Sequence, residues 1–440
     1  HNLRMFIYPK IQLNGRLLRR NAEEIKAAKE ALLNHPVLNT ISDNIIDKVT
    51  SLRSDKQFEQ VLKDNNIPIH YKWSDKQQKK VPAFAKTDEY MKRLVMCREG
   101  SAASVLANAR LAVKSSIAET RTQRFIDMSV LSPMLPIPLR YSAAHTHRFG
   151  GDDSLNVQNL GRGSVLRQAL EAPEGKKIVV CDLSQVEIRV NAYLAGEERM
   201  LSVFRSGEDI YCNFASQAFG RTVTKSDKED RFLGKTSILG LGFGMGETLF
   251  NTTLKSAGVK DIAIGRTLHR AYRAAYPTLV SHWKHLELRL HEALTTGQRI
   301  PYDMAGVSYI KKDKIVMPYG LEIAYPNMRF DSGERSLVFD KYQRVNSSVS
   351  KRMWGGYLVE NLVQSIARGI LADQWLRVYM KYGERPAMQV HDELIYVIDE
   401  DNAEEFLKNL IAEMCIPPRW CTDLPLGAEG DIADNYGEAK

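Results

Sequence analysis

Residues 176–196 read KKIVVCDLSQVEIRVNAYLAG. A short β-branched run, IVVC, stops at Asp182. A turn follows, then a helical pattern that ends at Gly196. A matching signal lies far downstream: PAMQVHDELIYVI (386–398) reads as two strands around a tight His391-Asp392 turn. Between them, 197 to about 345 reads as mainly helical. IYCNFASQAFG (210–220) stops at Gly220. A helix over 278–296 places Val280, Trp283, Leu290 and Leu294 on one stripe, with Gly297 as its stop. Further helices are expected at 358–383 and about 403–415. The order is helices, strand-helix, helices, hairpin-helix. A sheet assembled from distant strands with a helical insertion fits α+β better than a doubly wound fold.

Asp182 and Asp392 each sit at the tip of a short apolar strand. If those strands are neighbours, two carboxylates meet at one sheet edge, and like charges held that close call for a divalent counter-charge. Mg²⁺ suits such a pair because it prefers oxygen ligands and keeps part of its water shell. Two such ions can clamp the attacking and leaving oxygens of an in-line displacement. Acids at strand ends are also common in turns, so each aspartate alone has a structural explanation. SQVE (184–187) likewise reads as a capping box, which accounts for Ser184 and Glu187 without catalysis.

DRFLGKTSILGLGFGMG (230–246) sets a lysine beside several glycines. A P-loop would need Gly at position 229, where Glu stands, and a strand just before it; a Rossmann turn fails for want of the same strand. The spacing of Arg231, Lys235, Leu239 and Phe243 instead makes one slowly drifting helical stripe. That helix would present Arg and Lys, a turn apart, to a polyphosphate. Glycines 240, 242 and 244 cost roughly 1 kcal/mol each relative to Ala in a helix. The cost makes sense if that end lies close against something or bends.

The net charge of +8 favours nucleic acid as a partner or serves solubility, and charge alone does not separate the two. The first ~115 residues are helical and basic. Within them, 71–91 reads as an exposed loop carrying Lys72, Lys76, Lys79, Lys80 and Lys86, either solvated or set against a phosphate backbone. The segment 132–164 is rich in Pro, Gly, Asn and Ser and is expected to be irregular. Five cysteines without a CxxC pair argue against zinc or a disulfide framework and for a reducing cytosol. No apolar run approaches the ~20 residues that span a bilayer.

Together these segments resemble the polymerase domain of family A DNA polymerases, the bacterial DNA polymerase I group and its phage branch. DLSQVEIR (182–189), RFLGKTSILGLGFG (231–244) and QVHDE (389–393) occur in the family's order. FGGDDSLNVQNLGR (149–162) resembles its primer–template segment, and LVENLVQSIAR (358–368) its phage-type ENxxQxxAR stretch. The resemblance implies a right-hand fold: a helical thumb at 1–115, an antiparallel-sheet palm at 116–205 and 345–440, and helical fingers at 206–344. It implies template-directed addition of dNTPs to a primer 3′-hydroxyl. Asp182, the Leu183 carbonyl and Asp392 would hold two Mg²⁺ ions, with Mn²⁺ as a substitute, and Glu393 close by. Arg231 and Lys235 would bind the triphosphate, and Lys235 could protonate the leaving pyrophosphate. Glu187 would be the steric gate against a ribose 2′-hydroxyl, with Gln185, Tyr211, Leu239 and Phe243 also facing the nucleotide. Arg148, Asn156, Gln158, Asn159, Gln364 and His391 would track the primer–template.

The sequence departs from the family at three of these positions. Leu239 replaces an aromatic residue, Phe243 a tyrosine and Tyr211 a histidine. Proofreading is not expected from this chain, because no D-x-E occurs in its first 110 residues. The expected partners are primer–template DNA, dNTPs and replisome or processivity proteins, for a cytoplasmic monomer away from membranes. A single-subunit RNA polymerase would carry a small residue at 187 and HDS rather than HDE at 391–393. A reverse transcriptase would show YxDD, and a DNA-binding protein with a dead core would lack the intact acids and cations found here.

Overall fold

The computed structural model describes residues 2–74, 77–333, 335–344 and 347–439; Lys76 of the basic segment lies outside them. The chain forms two compact units. One takes in Gln12–Leu135 with Gly161–Glu171, and the other His1–Ile11, Pro136–Leu160 and Ala172–Lys440.

The first unit is mostly helical. Leu38, Leu52, Phe58, Leu62, Met91 and Leu106 are fully buried at its centre. Helices Gly15–Leu33 and Ile117–Leu131 pack on each other, so helical packing continues past residue 115. Side chains of Asn14, Ser54 and Ser101 accept backbone N–H groups at the starts of three helices, which supplies local stop-and-start signals. The basic segment is not a loop. Tyr71–Ser74 and Lys79–Pro82 form an antiparallel hairpin, with Lys72 opposite Val81 and Trp73 opposite Lys80. Its ladder satisfies the main chain while the lysines stay in water, so few apolar residues betray the strands.

In the second unit, strands β1 (Lys176–Leu183), β2 (Met388–Val390), β3 (Glu393–Asp399) and β4 (Ala428–Ala433) form one sheet of order β2-β3-β1-β4, with every neighbour antiparallel. Ile178, Val179, Val180 and Cys181 have no exposed surface, so the central strand is covered on both faces, as its unbroken apolar run implies. The same unit holds helices α1 (Val186–Ala195), α2 (Ile210–Phe219), α3 (Lys228–Leu241), α4 (Pro277–Thr296), α5 (Gly355–Tyr382) and α6 (Ala403–Met414). The α6 helix lies on β1 and β4, and α5 packs on α1, α4 and α6. Four of these helices stop where the sequence places a glycine: Gly196, Gly220, Gly297 and Gly383, all left-handed.

Several expectations need correction. α4 buries Leu279, His282, Leu286, Leu290 and Ala293, so of the expected stripe only Leu290 is fully inside. Val280, Trp283 and Leu294 flank it, because α4 carries two adjoining apolar stripes and packing selects one. Among the described residues, the part of the helical expectation that ran from 300 to about 345 is short strands and turns instead. Ile300–Pro301, Tyr309–Lys311, Lys314–Val316 and Glu322–Ala324 make one antiparallel sheet; Arg329–Asp331, Ser336–Arg344 and Ser347–Arg352 make another. Ile310, Ile315 and Ile323 are buried on three strands joined by turns at Lys312 and Gly320, both left-handed. Strands this short give almost no periodic signal. Among the described residues no helix is long and apolar enough to cross a membrane.

Candidate active site

The two strand-end acids meet. Glu393 faces Asp182 across the β3–β1 ladder, and Asp392 directly precedes it. The Leu183 N–H donates to the Asp392 carbonyl at 3.2 Å. On the other side of β1, Glu429 of β4 faces Asp182. Burial pushes the Asp392 carboxyl up to about 7, and the Asp182 and Glu187 charges push the same way, against Arg148.

The turn carrying Asp392 is held from below. Gln389, only 3% exposed, donates to the His391 carbonyl at 2.5 Å, and Gln158 donates to Gln389 at 3.4 Å. His391 itself is left-handed, at φ 50°. Gln158 is therefore buried support for the His391-Asp392 turn. Asn156 accepts from the Gln158 N–H at 3.1 Å and shapes that support, and Asn159 is exposed.

The capping box is not formed. Gln185, left-handed at φ 50°, is the N-cap of α1 and makes no side-chain cap bond, while Ser184 offers its carbonyl to Arg189 at 2.8 Å. Glu187 is thereby released from the helix start and pairs with Arg148. These two residues, Val186, Ala367, Arg368, His391 and Asp392 line a cavity of about 270 Å³. Arg368, one helical turn beyond Gln364, sits over the rings of Tyr141 and Phe149 at 4.9 and 5.2 Å. Gln364 bridges Thr146 and Glu360 at 3.1 Å each.

A second, polar hollow of about 630 Å³ is lined by Gln185, Asp209, Lys225, Arg231 and Glu429, among others. Arg231 donates through Nε and Nη2 to one oxygen of Asp209, at 2.9 and 2.8 Å. Tyr211, 6% exposed, lies under the guanidinium with its ring centre 5.4 Å away. Lys235 and Leu239 follow on the exposed side of α3, Leu239 being 45% exposed. The helix ends at Leu241, so Phe243 leaves the stripe and stands in a turn. Gly244 takes φ 75° there, and a Cβ on Gly356 would lie 1.9 Å from the Phe243 carbonyl oxygen. Gly244 and Gly356 thus serve close approach at the base of α5.

Sequence reading missed Asp209, Gln389, Arg368, Lys225 and Glu429. Arg368, inside ENLVQSIAR, and Gln389, the first residue of QVHDE, lay within quoted motifs; the other three did not.

Residues 28–297 match the sequence model of DNA polymerase family A. The chain belongs to that family. A DNA polymerase of Bacillus phage SP02 is 32% identical over 289 residues, which are 62% of this chain and 43% of the phage protein. A thermostable DNA polymerase I of Thermus filiformis is 28% identical over 305 residues, 68% of this chain and 32% of that one. The matches thus span less than half the length of these relatives. The chain's mixed helix-and-sheet fold is similar to that of the POL domain of Pol1 from M. smegmatis, solved in complex with DNA primer-template and dNTP. The TM-score is 0.69 at 18% identity, over 98% of this chain and 68% of that one.

Proposed function

We propose that this chain is a template-directed DNA polymerase that extends a primer 3′-hydroxyl with dNTPs. The observation that carries the reading is the juxtaposition of Asp182, Asp392 and Glu393 on adjoining strands. We assign the β1–β4 sheet with α5 and α6 to the palm, α2–α4 to the fingers, and the helical unit to the thumb.

Asp182, Asp392 and the Leu183 carbonyl fit a hard cation: two carboxylates and one carbonyl leave most positions for water and phosphate oxygens, as Mg²⁺ requires, and Mn²⁺ suits the same donors. Once bound, a Mg²⁺ pair would supply charge neutralisation at the attacking and leaving oxygens. Arg231 and Lys235 take up triphosphate charge, and Lys235 gives a proton to the departing pyrophosphate. Glu187, locked by Arg148, stands where a ribose 2′-hydroxyl would enter. Gln185, Leu239 and Phe243 border the incoming nucleotide, and Tyr211 acts by supporting Arg231. Arg148, Gln364 and His391 face the primer end, and Asn156, Gln158 and Asn159 shape the primer–template segment. Sequence-neutral binding is suited to the near-degenerate acceptors of the minor groove. The reading includes no proofreading step, a cytoplasmic setting, and a monomer that works on primer–template with replisome partners.

Primer extension with dNTPs and with rNTPs, wild type against Asp392→Ala, tests the reading. Extension with dNTPs that falls by on the order of 10³ in the variant is expected. Full activity in Asp392→Ala would overturn the assignment of the acids, and equal use of rNTPs would overturn the choice of DNA synthesis.

A further inference from the structure

Arg231 and Asp209 lie on successive helices, 22 residues apart, and the two carboxylate oxygens of Asp209 have separate tasks. One, Oδ1, accepts the Tyr211 and Cys212 N–H groups at 2.9 and 3.0 Å and caps α2. The other, Oδ2, accepts both bonds from Arg231. The guanidinium meets Asp209 through its Nε–Nη2 edge, which leaves Nη1 outside that pair. The side chain is one-third exposed on the wall of the 630 Å³ hollow. Gly234 makes the arrangement fit. A Cβ there would meet the Tyr211 carbonyl oxygen at 2.3 Å, so only glycine lets α3 lie against the first turn of α2.

We propose that Asp209 is a positioning residue for nucleotide binding: anchored to the start of α2, it fixes the Arg231 guanidinium over the Tyr211 ring and turns the Nη1 edge toward the triphosphate. The inference rests on the polymerase reading and adds a residue to it. An arginine has many rotamers, and ordering one only at binding costs affinity; an acid that pre-orders it returns that loss. Asp209 supports the guanidinium without touching substrate. Burial alone would raise its carboxyl, but the Arg231 guanidinium and the capping N–H groups outweigh burial and hold it below the ordinary range.

Asparagine separates the two tasks. In Asp209→Asn the amide oxygen keeps the cap, and an amide NH₂, unable to accept, faces Arg231. Steady-state primer extension should show the dNTP KM rising about tenfold while kcat changes less than about threefold, since a charge-assisted bond is lost away from the reacting atoms. Asp209→Ala should show the same rise in KM and a denaturation midpoint below that of Asp209→Asn, because it also loses the cap. Placed in an Arg231→Met background, Asp209→Asn should raise KM no further. A dNTP KM within about twofold of wild type in Asp209→Asn, or a full additive effect in the Arg231→Met background, overturns the positioning role while leaving the polymerase reading intact. A wild-type chain that extends no primer overturns both.

Discussion

Replacing Gly234 by alanine sets two effects of opposite sign against each other. Within a helix the change is worth about 1 kcal/mol in favour of alanine. Against that, the new methyl would stand 2.3 Å from the Tyr211 carbonyl oxygen, 3.1 Å from its carbonyl carbon and 3.2 Å from Ala215 Cβ. Two of these neighbours are main chain of the first turn of α2 and cannot rotate aside. Relief requires α3 to back away, at an overpacking cost of ~1–3 kcal/mol. The net expectation is a loss of up to about 2 kcal/mol. The same displacement draws Arg231 off Asp209, so the dNTP KM should rise along with the loss of stability. Gly240→Ala is the control. Its added methyl would find only ordinary contacts at 3.7 Å, so the helix-propensity gain should survive there. Chemical denaturation of the three proteins, followed by primer-extension kinetics, gives both readouts. A Gly234→Ala chain as stable as wild type, with an unchanged KM, would refute the close approach of the two helices.

Three further outcomes can be measured with the same assays. Leu239→Phe should lower the dNTP KM by roughly 3–10-fold and alter dideoxynucleotide selectivity, because a flat ring at this exposed position adds stacking worth about 0.5–1.5 kcal/mol; unchanged selectivity removes the idea. Glu187→Ala should raise ribonucleotide incorporation by on the order of tenfold or more, judged from the loss of a packed group that excludes the 2′-hydroxyl, and an rNTP/dNTP ratio equal to wild type counts against the gate. Gln389→Leu leaves the His391 carbonyl without its 2.5 Å donor, so the chain should lose about 1–3 kcal/mol of stability and much of its kcat; retention of both would show that the turn holds itself.

What could be read in the sequence and what could not follow a physical division. IVVCD and LIYVI announced a buried sheet because both runs are β-branched and unbroken, and the helix ends were legible because glycine marks them. Asp182 and Asp392 were legible for the same reason, each being the polar residue that ends or interrupts an apolar run. The short strands between 300 and 324 were not, since two or three residues cannot establish a period. Ser184 and Glu187 fit a capping box by spacing, yet the left-handed turn at Gln185 moved the helix start and freed Glu187 for Arg148. Asp209 and Gln389 look like an ordinary cap and an ordinary strand residue. Their importance arises from partners on another element, or from a turn their own strand only introduces, and local pattern carries neither.

The strand order has a consequence in time. Lys176 on β1 and Asp399 on β3 are 223 residues apart, and β4 lies later still. At ~5–20 residues per second, a ribosome takes on the order of 10–45 s to make the first partner strand after β1 has emerged. Throughout that interval IVVC has no sheet to join, and its bare edge invites pairing with other chains. The two acids of the candidate site are therefore apart until Asp392 has been made, 392 − 182 = 210 residues after Asp182. A chain stalled before residue 392 would be sticky as well as inert, so slow-growing or chaperone-rich hosts should yield more soluble protein than fast, hot expression.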